Sequence, residues 1–376
     1  METAENAGDP VSTNELTVVD IGTQIQETTE DILPYIDDDT AGKEFLDLSD
    51  NPRAEIYGGP SAYPLFEYKR ADESGQIVES GEITESIGTD ALDSMRSEYG
   101  IDRSVVNPTM NLSLAETNND RFALALAKGY NRWLLEELDD RDSLVGNLVV
   151  APQHPERAAD EIDELASEGS IVGVTIPIAG MLPAAGHRIY EPIWEAAAKH
   201  ELPVTLQGTV GIRSFHQQVY SADSYAMDYA YQQPFLAMQH LTSIMFEGVL
   251  ERHPETNVVV LNAGIDLAPY LVMRLDDHYL ELGYEIPALD RLPSEYCADS
   301  VYWGTAPIGH ASNQPTPDYM AKMVRMVGAE NVLYSSDIPH PVTESPSNLL
   351  DEIGSALDAD EIEALFGGTA RELYGL

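Results

Sequence analysis

Acid–base or metal chemistry in this 376-residue chain would start from its nine histidines, His154, His187, His200, His216, His240, His253, His278, His310 and His340. No two of them form H-x-H or H-x-x-x-H, the spacings that aim two imidazoles at one ion from one strand or one helix face. His310 and His340 follow two late apolar runs, "DSVYWG" and "NVLYSSD", which would put both on a face where strand ends collect. His154, His200 and His253 sit at loop or helix-end positions and read as solvated, while His216 and His240 lie in an aromatic-rich stretch and read as packed. Near the N-terminus, "VVDIGTQIQ" ends a strand-like run and then gives its loop Asp20, Gly22 and Gln24, an acid, a glycine and an amide. Histidines at the last two positions would make a metal site.

These groups need a scaffold that gathers strand ends, and the apolar pattern supplies one. Short runs recur at 15–20 ("ELTVVD"), 103–108 ("RSVVNP"), 144–152 ("LVGNLVVAP"), 170–178 ("SIVGVTIPI"), 202–207 ("LPVTLQ"), 256–262 ("TNVVVLN"), 299–304 ("DSVYWG") and 331–337 ("NVLYSSD"). Between most of them lie amphipathic segments. "HPERAADEIDELASEG" sets Ala158, Ala159, Ile162, Leu165 and Ala166 at helical spacing before Gly169, and "EPIWEAAAKHE" carries proline in its first turn. Eight strand–helix alternations predict an α/β fold, a (β/α)8 TIM barrel with active-site loops at the carboxyl ends of the strands. The barrel is distorted by insertions after strand 1, at about 27–90, and after strand 5, at about 208–246. An open doubly wound sheet is the competing fold, but no G-x-G-x-x-G follows any run. Residues 15–376 read as one domain behind a disordered acidic lead-in, 1–14. At the C-terminus, Asp358 and Glu361 have capping-box spacing, and Gly367 and Gly368 are expected to stop the helix.

The chain holds 65 acidic and 20 basic residues, a net charge of −45, with the acids interspersed among apolar residues. Such self-repulsion is screened in concentrated salt, where the Debye length falls to about 3 Å at 1 M, so the composition fits a salt-rich cytoplasm. The same field repels phosphate backbones and anionic lipid, which argues against nucleic acid and membrane partners. With Cys297 as the single cysteine no intrachain disulfide forms, and no run approaches the length of a spanning helix. These features predict a soluble cytoplasmic protein.

Read together, "LDSMRSEYGIDRSVVNPT", "YNRWLLEELDDRDSLVGNLVVAPQHPERAADEI", "VGVTIPIAG", "YEPIWEAAAKHELPVTLQ", "HPETNVVVLNAGIDLAPYLVMRLD" and "NVLYSSDIPHP" resemble the amidohydrolase-related family. That family contains metal-dependent decarboxylases acting on aminocarboxymuconate semialdehyde and hydroxybenzoates. The resemblance spans the first strand and residues from about 90 to the C-terminus. It implies five metal-ligand positions: an H-x-H after strand 1, histidines after strand 5 and near strand 6, and an aspartate after strand 8. Here those positions carry Gly22, Gln24, Gln207, Asn262 and Asp337, so only the aspartate is kept. Amide oxygens are weak, hard ligands, so zinc is not expected and no cofactor is required; a weak calcium, magnesium or manganese site with Asp20 is the residual metal reading. The resemblance also places Arg274 where the family binds a substrate carboxylate, in some members across a dimer interface; simple pairing with Asp276 or Asp277 is the alternative.

Two functions follow. In the first, the chain is a hydrolase or decarboxylase-like enzyme for a small acidic or cyclic substrate, a lactone, ester or carboxylated compound, working without the usual divalent metal. Asp337 and His340 are then catalytic, and Gln24, Gln207, Asn262, Arg274 and His310 bind substrate. In the second, a non-catalytic barrel binds a small molecule or a partner subunit. Either form is expected to be a homodimer.

Overall fold

The computed structural model describes residues 16–37, 69–71, 77–79, 86–117, 119–208, 225–307, 317–339, 343 and 345–376. Seven of the eight apolar runs contain a strand and the first, at 15–20, overlaps the start of one: β1 (Val19–Ile25), β2 (Arg103–Pro108), β3 (Leu144–Val149), β4 (Ile171–Pro177), β5 (Val204–Gln207), β6 (Val258–Val260), β7 (Val301–Gly304) and β8 (Val332–Leu333). They pair in parallel in chain order. The ring is brought together by Ile21 N–H on Tyr334 O (3.1 Å) and Gln24 N–H on Ile338 O (2.7 Å). With helices between the strands, this is a nearly closed (β/α)8 barrel. Of the insertion at 27–90, a short helix from Thr29 and an antiparallel pair, Lys69–Ala71 with Ile77–Glu79, are described. The lead-in and residues 38–68, 72–76 and 80–85 of that insertion lie outside the described residues.

Strand alternation sorts the core into layers. Val19, Val105, Val145, Val172, Val259 and Leu333 pack on one another inside the ring, and Ala370 and Tyr374 of the C-terminal helix join them. Outward residues such as Leu206 and Val260 pack instead with Trp194, Ile193 and Leu241 of the surrounding helices. Further along the strands comes a polar inner layer. Asn107 Nδ2 donates to Ile21 O (3.0 Å), and Asn147 Nδ2 donates to Asn107 Oδ1 (2.8 Å) and Thr205 Oγ1 (3.2 Å).

β1 breaks its own alternation. Asp20 pairs with Ser104 and Thr23 with Val106, so the extra residue at Ile21–Gly22 is a bulge. Before it Val19 and Ile21 point inward; after it Ile25 points outward into the helix layer, so Gln24 takes the inward place. The expected loop at "GTQ" is therefore strand, because β2 extends far enough to pair with Gln24.

Two other expectations are corrected. Gly367 and Gly368 do not stop the helix, which passes through them as a π-helical segment, Ala364–Gly368, into Thr369–Tyr374. A Cβ on Gly367 would lie 2.1 Å from Thr17 O, so the glycine admits a close backbone approach to the chain entering β1. The second excursion becomes a long helix, Tyr225–Phe246, whose Leu236, Leu241, Ile244 and Met245 enter the core; residues 209–224, with His216, lie outside the described residues. In that helix His240 is buried, its Nδ1 accepting Ala185 N–H (3.1 Å), and burial lowers the ring to about 4, so it packs as a neutral strut. The capping box at Asp358 and Glu361 is present. Among the described residues no helix is long and apolar enough to cross a membrane.

Candidate active site

At the carboxyl ends of the strands three of the sequence-derived residues meet. Gln24 Nε2 donates to Asp337 Oδ1 at 2.6 Å, and Asn262 Nδ2 donates to the same oxygen at 3.2 Å. Gln24 arrives through the β1 bulge. Asn262 and Asp337 arrive through backbone conformation: both follow short strands and take positive φ, 58° and 62°. Asn and Asp enter that left-handed region more readily than other side-chain-bearing residues, and such positions are characteristic of functional sites. The turn bends each side chain away from the strand alternation and towards the other.

Gln207 ends β5 one inward position above Thr205, whose hydroxyl lies in the polar inner layer. It is fully buried, and among the described residues neither its amide nitrogen nor its amide oxygen has a partner. Asn262 Oδ1 is likewise buried and unpartnered. Buried polar atoms are nearly always satisfied, so these three point to a group that the described residues do not supply.

Asp20 has a different task. Its Oδ1 accepts Gly22 N–H and Ser336 N–H, each at 2.8 Å, and its Oδ2 accepts Ser336 Oγ–H (2.6 Å) and the Thr23 hydroxyl. Four donors fill the carboxylate, which makes it a latch between β1 and the chain after β8 and leaves nothing to offer a cation. Beside it a Cβ on Gly22 would stand 2.6 Å from Ser335 Cβ, so a side chain at this position cannot enter without parting the seam.

Glu27, which the sequence reading passed over, lies just beyond Gln24. It is fully buried and accepts Thr109 N–H (3.0 Å), Asn111 N–H (2.8 Å) and Asn111 Nδ2 (2.8 Å), tying the loop after β2 to the end of β1. A lone glutamate after a strand carries no periodic signal. Burial pushes its carboxyl up to about 7 despite the three donors. Since the folded value lies above the ordinary 4.5, Glu27 contributes stability in full below about pH 4.5 and loses it as pH rises through about 7. The loss is on the order of 3 kcal/mol. Glu27→Gln is expected to flatten this step in urea unfolding measured between pH 4.5 and 7.5; an unchanged pH slope would show that Glu27 does not titrate there.

Against known sequences, residues 94–376 match the profile of a family described as amidohydrolase. The chain belongs to the amidohydrolase family. Similar solved structures share its fold. An amidohydrolase from Mycobacterium avium subsp. paratuberculosis K-10 is 19% identical over 96% of this chain and 99% of its own, with a TM-score of 0.72. A 2,6-dihydroxybenzoate decarboxylase from Rhizobium is 15% identical over 96% and 98%, TM-score 0.66. A 5-carboxyvanillate decarboxylase from Novosphingobium aromaticivorans DSM 12444, with bound manganese and a nitrobenzoic acid, is 19% identical over 96% and 97%, TM-score 0.66. No curated protein matches the sequence. Family membership supports an enzyme of the amidohydrolase kind.

The described residues at the mouth of this amidohydrolase do not by themselves fit a manganese-type ion. Asp337 Oδ1 already takes two amide N–H groups, Asp20 is filled by four donors, and Gly22 has no side chain. Among the described residues no group of three or more His, Cys, Asp or Glu side chains could hold a metal. His310 and His340 lie outside the described residues. Arg274 stands exposed on the outer helix Leu267–Leu282, with Nη2 on His278 Nε2 (2.9 Å) and its guanidinium 5.8 Å from the Tyr270 ring centre. Asp276, one of its two expected partners, instead accepts Ser294 N–H at 2.8 Å.

Proposed function

We propose that this chain is a hydrolase of a small cyclic or ester-type carbonyl compound, in which Asp337 is the general base and no divalent ion takes part. The observation that carries this reading is the pair of amide N–H groups converging on Asp337 Oδ1. They fix the carboxylate at the mouth of the barrel, where a base must be positioned. Asp337 would take a proton from water while the water oxygen bonds to the carbonyl carbon; when the tetrahedral adduct collapses, the C–O bond to the leaving group breaks and the proton passes to the departing oxygen.

Decarboxylation of a carboxylated substrate, the activity named for two of the similar structures, is the less supported branch. It would bring a second negative charge beside Asp337, where the described cluster offers only the amides of Gln24, Gln207 and Asn262. His340 and His310 stay in the proposal as a second acid–base group and a substrate contact. A panel of lactones, esters and hydroxybenzoates, assayed with and without chelator in molar KCl, tests the reading. Chelator-resistant ester or lactone turnover is expected; no turnover of any substrate, with a ligand-dependent rise in melting temperature, would favour the binding-protein alternative.

Homodimerisation belongs to the same proposal. Tyr270, Met273, Leu280 and Tyr284 are exposed along one outer helix and the turn after it, next to Arg274. Sedimentation in molar KCl is expected to give twice the mass of the chain, and Tyr270→Glu to return it to one.

A further inference from the structure

The three unpartnered atoms at the barrel mouth specify a ligand chemistry more narrowly than the family does. Gln207 offers a donor nitrogen, Nε2, and an acceptor oxygen, Oε1, on a planar edge, and Asn262 adds a second acceptor oxygen, Oδ1. Gln207 ends β5 and Asn262 follows the neighbouring β6, the two held level by Leu261 N–H on Leu206 O (3.2 Å). Gln207 points inward above Thr205, while Gln24 Nε2 and Asn262 Nδ2 each give one N–H to Asp337. The buried atoms that remain unmet are therefore one amide nitrogen and two amide oxygens beside a carboxylate.

We propose that the ligand group seated on Gln207 and Asn262 is a carbonyl bearing N–H donors, a carboxamide or ureide, and not a carboxylate. Its C=O accepts from Gln207 Nε2, one N–H donates to Gln207 Oε1 in the paired edge-to-edge arrangement of two amides, and the other N–H donates to Asn262 Oδ1. All three buried atoms are then satisfied by one planar group. A carboxylate has only acceptors, so it would satisfy Nε2, face two oxygens without a hydrogen between them, and meet the charge of Asp337. An amidine has only donors and leaves Nε2 unmet. The inference rests on the proposed function for the position of the site and deepens it: the hydrolysed substrate carries an amide-type group by which it is held, separate from the bond that Asp337 attacks.

Benzamide, benzoate and benzamidine share one ring and one planar head and differ in donors and acceptors, so they serve as probes. Calorimetric titration into the full chain in molar KCl, which screens the acidic surface, is expected to show saturable one-to-one binding of benzamide and at least about 10-fold weaker binding of benzoate. Gln207→Leu is expected to weaken benzamide by about 10-fold, since two hydrogen bonds are lost. Gln207→Glu replaces the mixed edge by acceptors alone and is expected to shift the preference from benzamide to benzamidine; it keeps the size of the side chain and serves if the leucine variant does not fold.

Equal binding of benzamide and benzoate, indifference to both Gln207 variants, or no binding of benzamide would overturn the inference and leave the three atoms to ordered water. The readout needs no turnover. Benzamide binding without ester hydrolysis would retain the ligand chemistry and sink the reading of Asp337, whereas hydrolysis without benzamide binding would do the reverse.

Discussion

Asp337→Asn is expected to lower ester or lactone turnover by roughly 10²- to 10⁴-fold, the range that a positioned general base contributes, while moving the melting temperature little. The substitution is nearly isosteric, and Asp337 is only half-buried, so the packing around it survives. What is lost is the charge. An asparagine amide cannot take a proton from water, and although its oxygen can still accept from Gln24 Nε2 and Asn262 Nδ2, those contacts are no longer charge-assisted. Turnover and thermal unfolding together separate the two roles the residue can have. Loss of turnover at constant stability supports the base; a clear drop in stability with turnover retained would make Asp337 a brace of the barrel end and remove the basis of the proposed function. A chelator arm on the wild-type enzyme adds an independent check, because a reaction that stops with chelator and returns with manganese would mean that the described donors are completed by groups beyond them.

The layout of the barrel was legible because it depends on averaged properties. Eight apolar runs separated by amphipathic stretches need only period and length to be recognised, and seven contain their strand while the first marks where its strand begins. The site was legible in part through the family resemblance, which singled out Gln24, Asn262 and Asp337 at strand ends that a barrel brings together. What escaped were features decided by single contacts. The bulge at Ile21–Gly22, which turns Gln24 inward, reads in sequence like any turn-former. Gly367 looks like a helix stop until Thr17 O is seen to occupy the place of its Cβ. Glu27 and Ser336 have no pattern to betray them, because their partners lie in the loop after β2 and on β1. The charge of Asp20 suggested a cation ligand, and only the count of its four donors shows it to be spent.

That count leads to the largest stability effect expected here. Asp20→Ala would leave Gly22 N–H, Ser336 N–H and the hydroxyls of Thr23 and Ser336 without their acceptor inside the seam. Each buried donor left unpaired costs about 1–3 kcal/mol, and the hydroxyls can turn elsewhere, so a loss of roughly 3 kcal/mol or more is expected in urea unfolding. Asp20→Asn should cost less, since its one oxygen keeps up to two of the four bonds. Burial raises the Asp20 carboxyl above its ordinary value, so its own contribution is greatest at low pH and declines as pH rises through the folded value; the gap between wild type and Asp20→Ala should therefore narrow as pH rises. The effect reaches the site through two neighbours. Ser336 precedes Asp337 and its Oγ accepts Ile338 N–H (3.0 Å), while Ile338 O accepts Gln24 N–H (2.7 Å), so the left-handed turn at Asp337 is held from both sides. Releasing Ser336 frees that turn and should cost turnover even at temperatures where the variant is folded. Gly22→Ala probes the same seam from its other wall, by forcing a methyl group against Ser335. If Asp20→Ala unfolds at the same urea concentration as wild type, β1 and the chain after β8 are held by backbone bonds alone, and the carboxylate is not the latch.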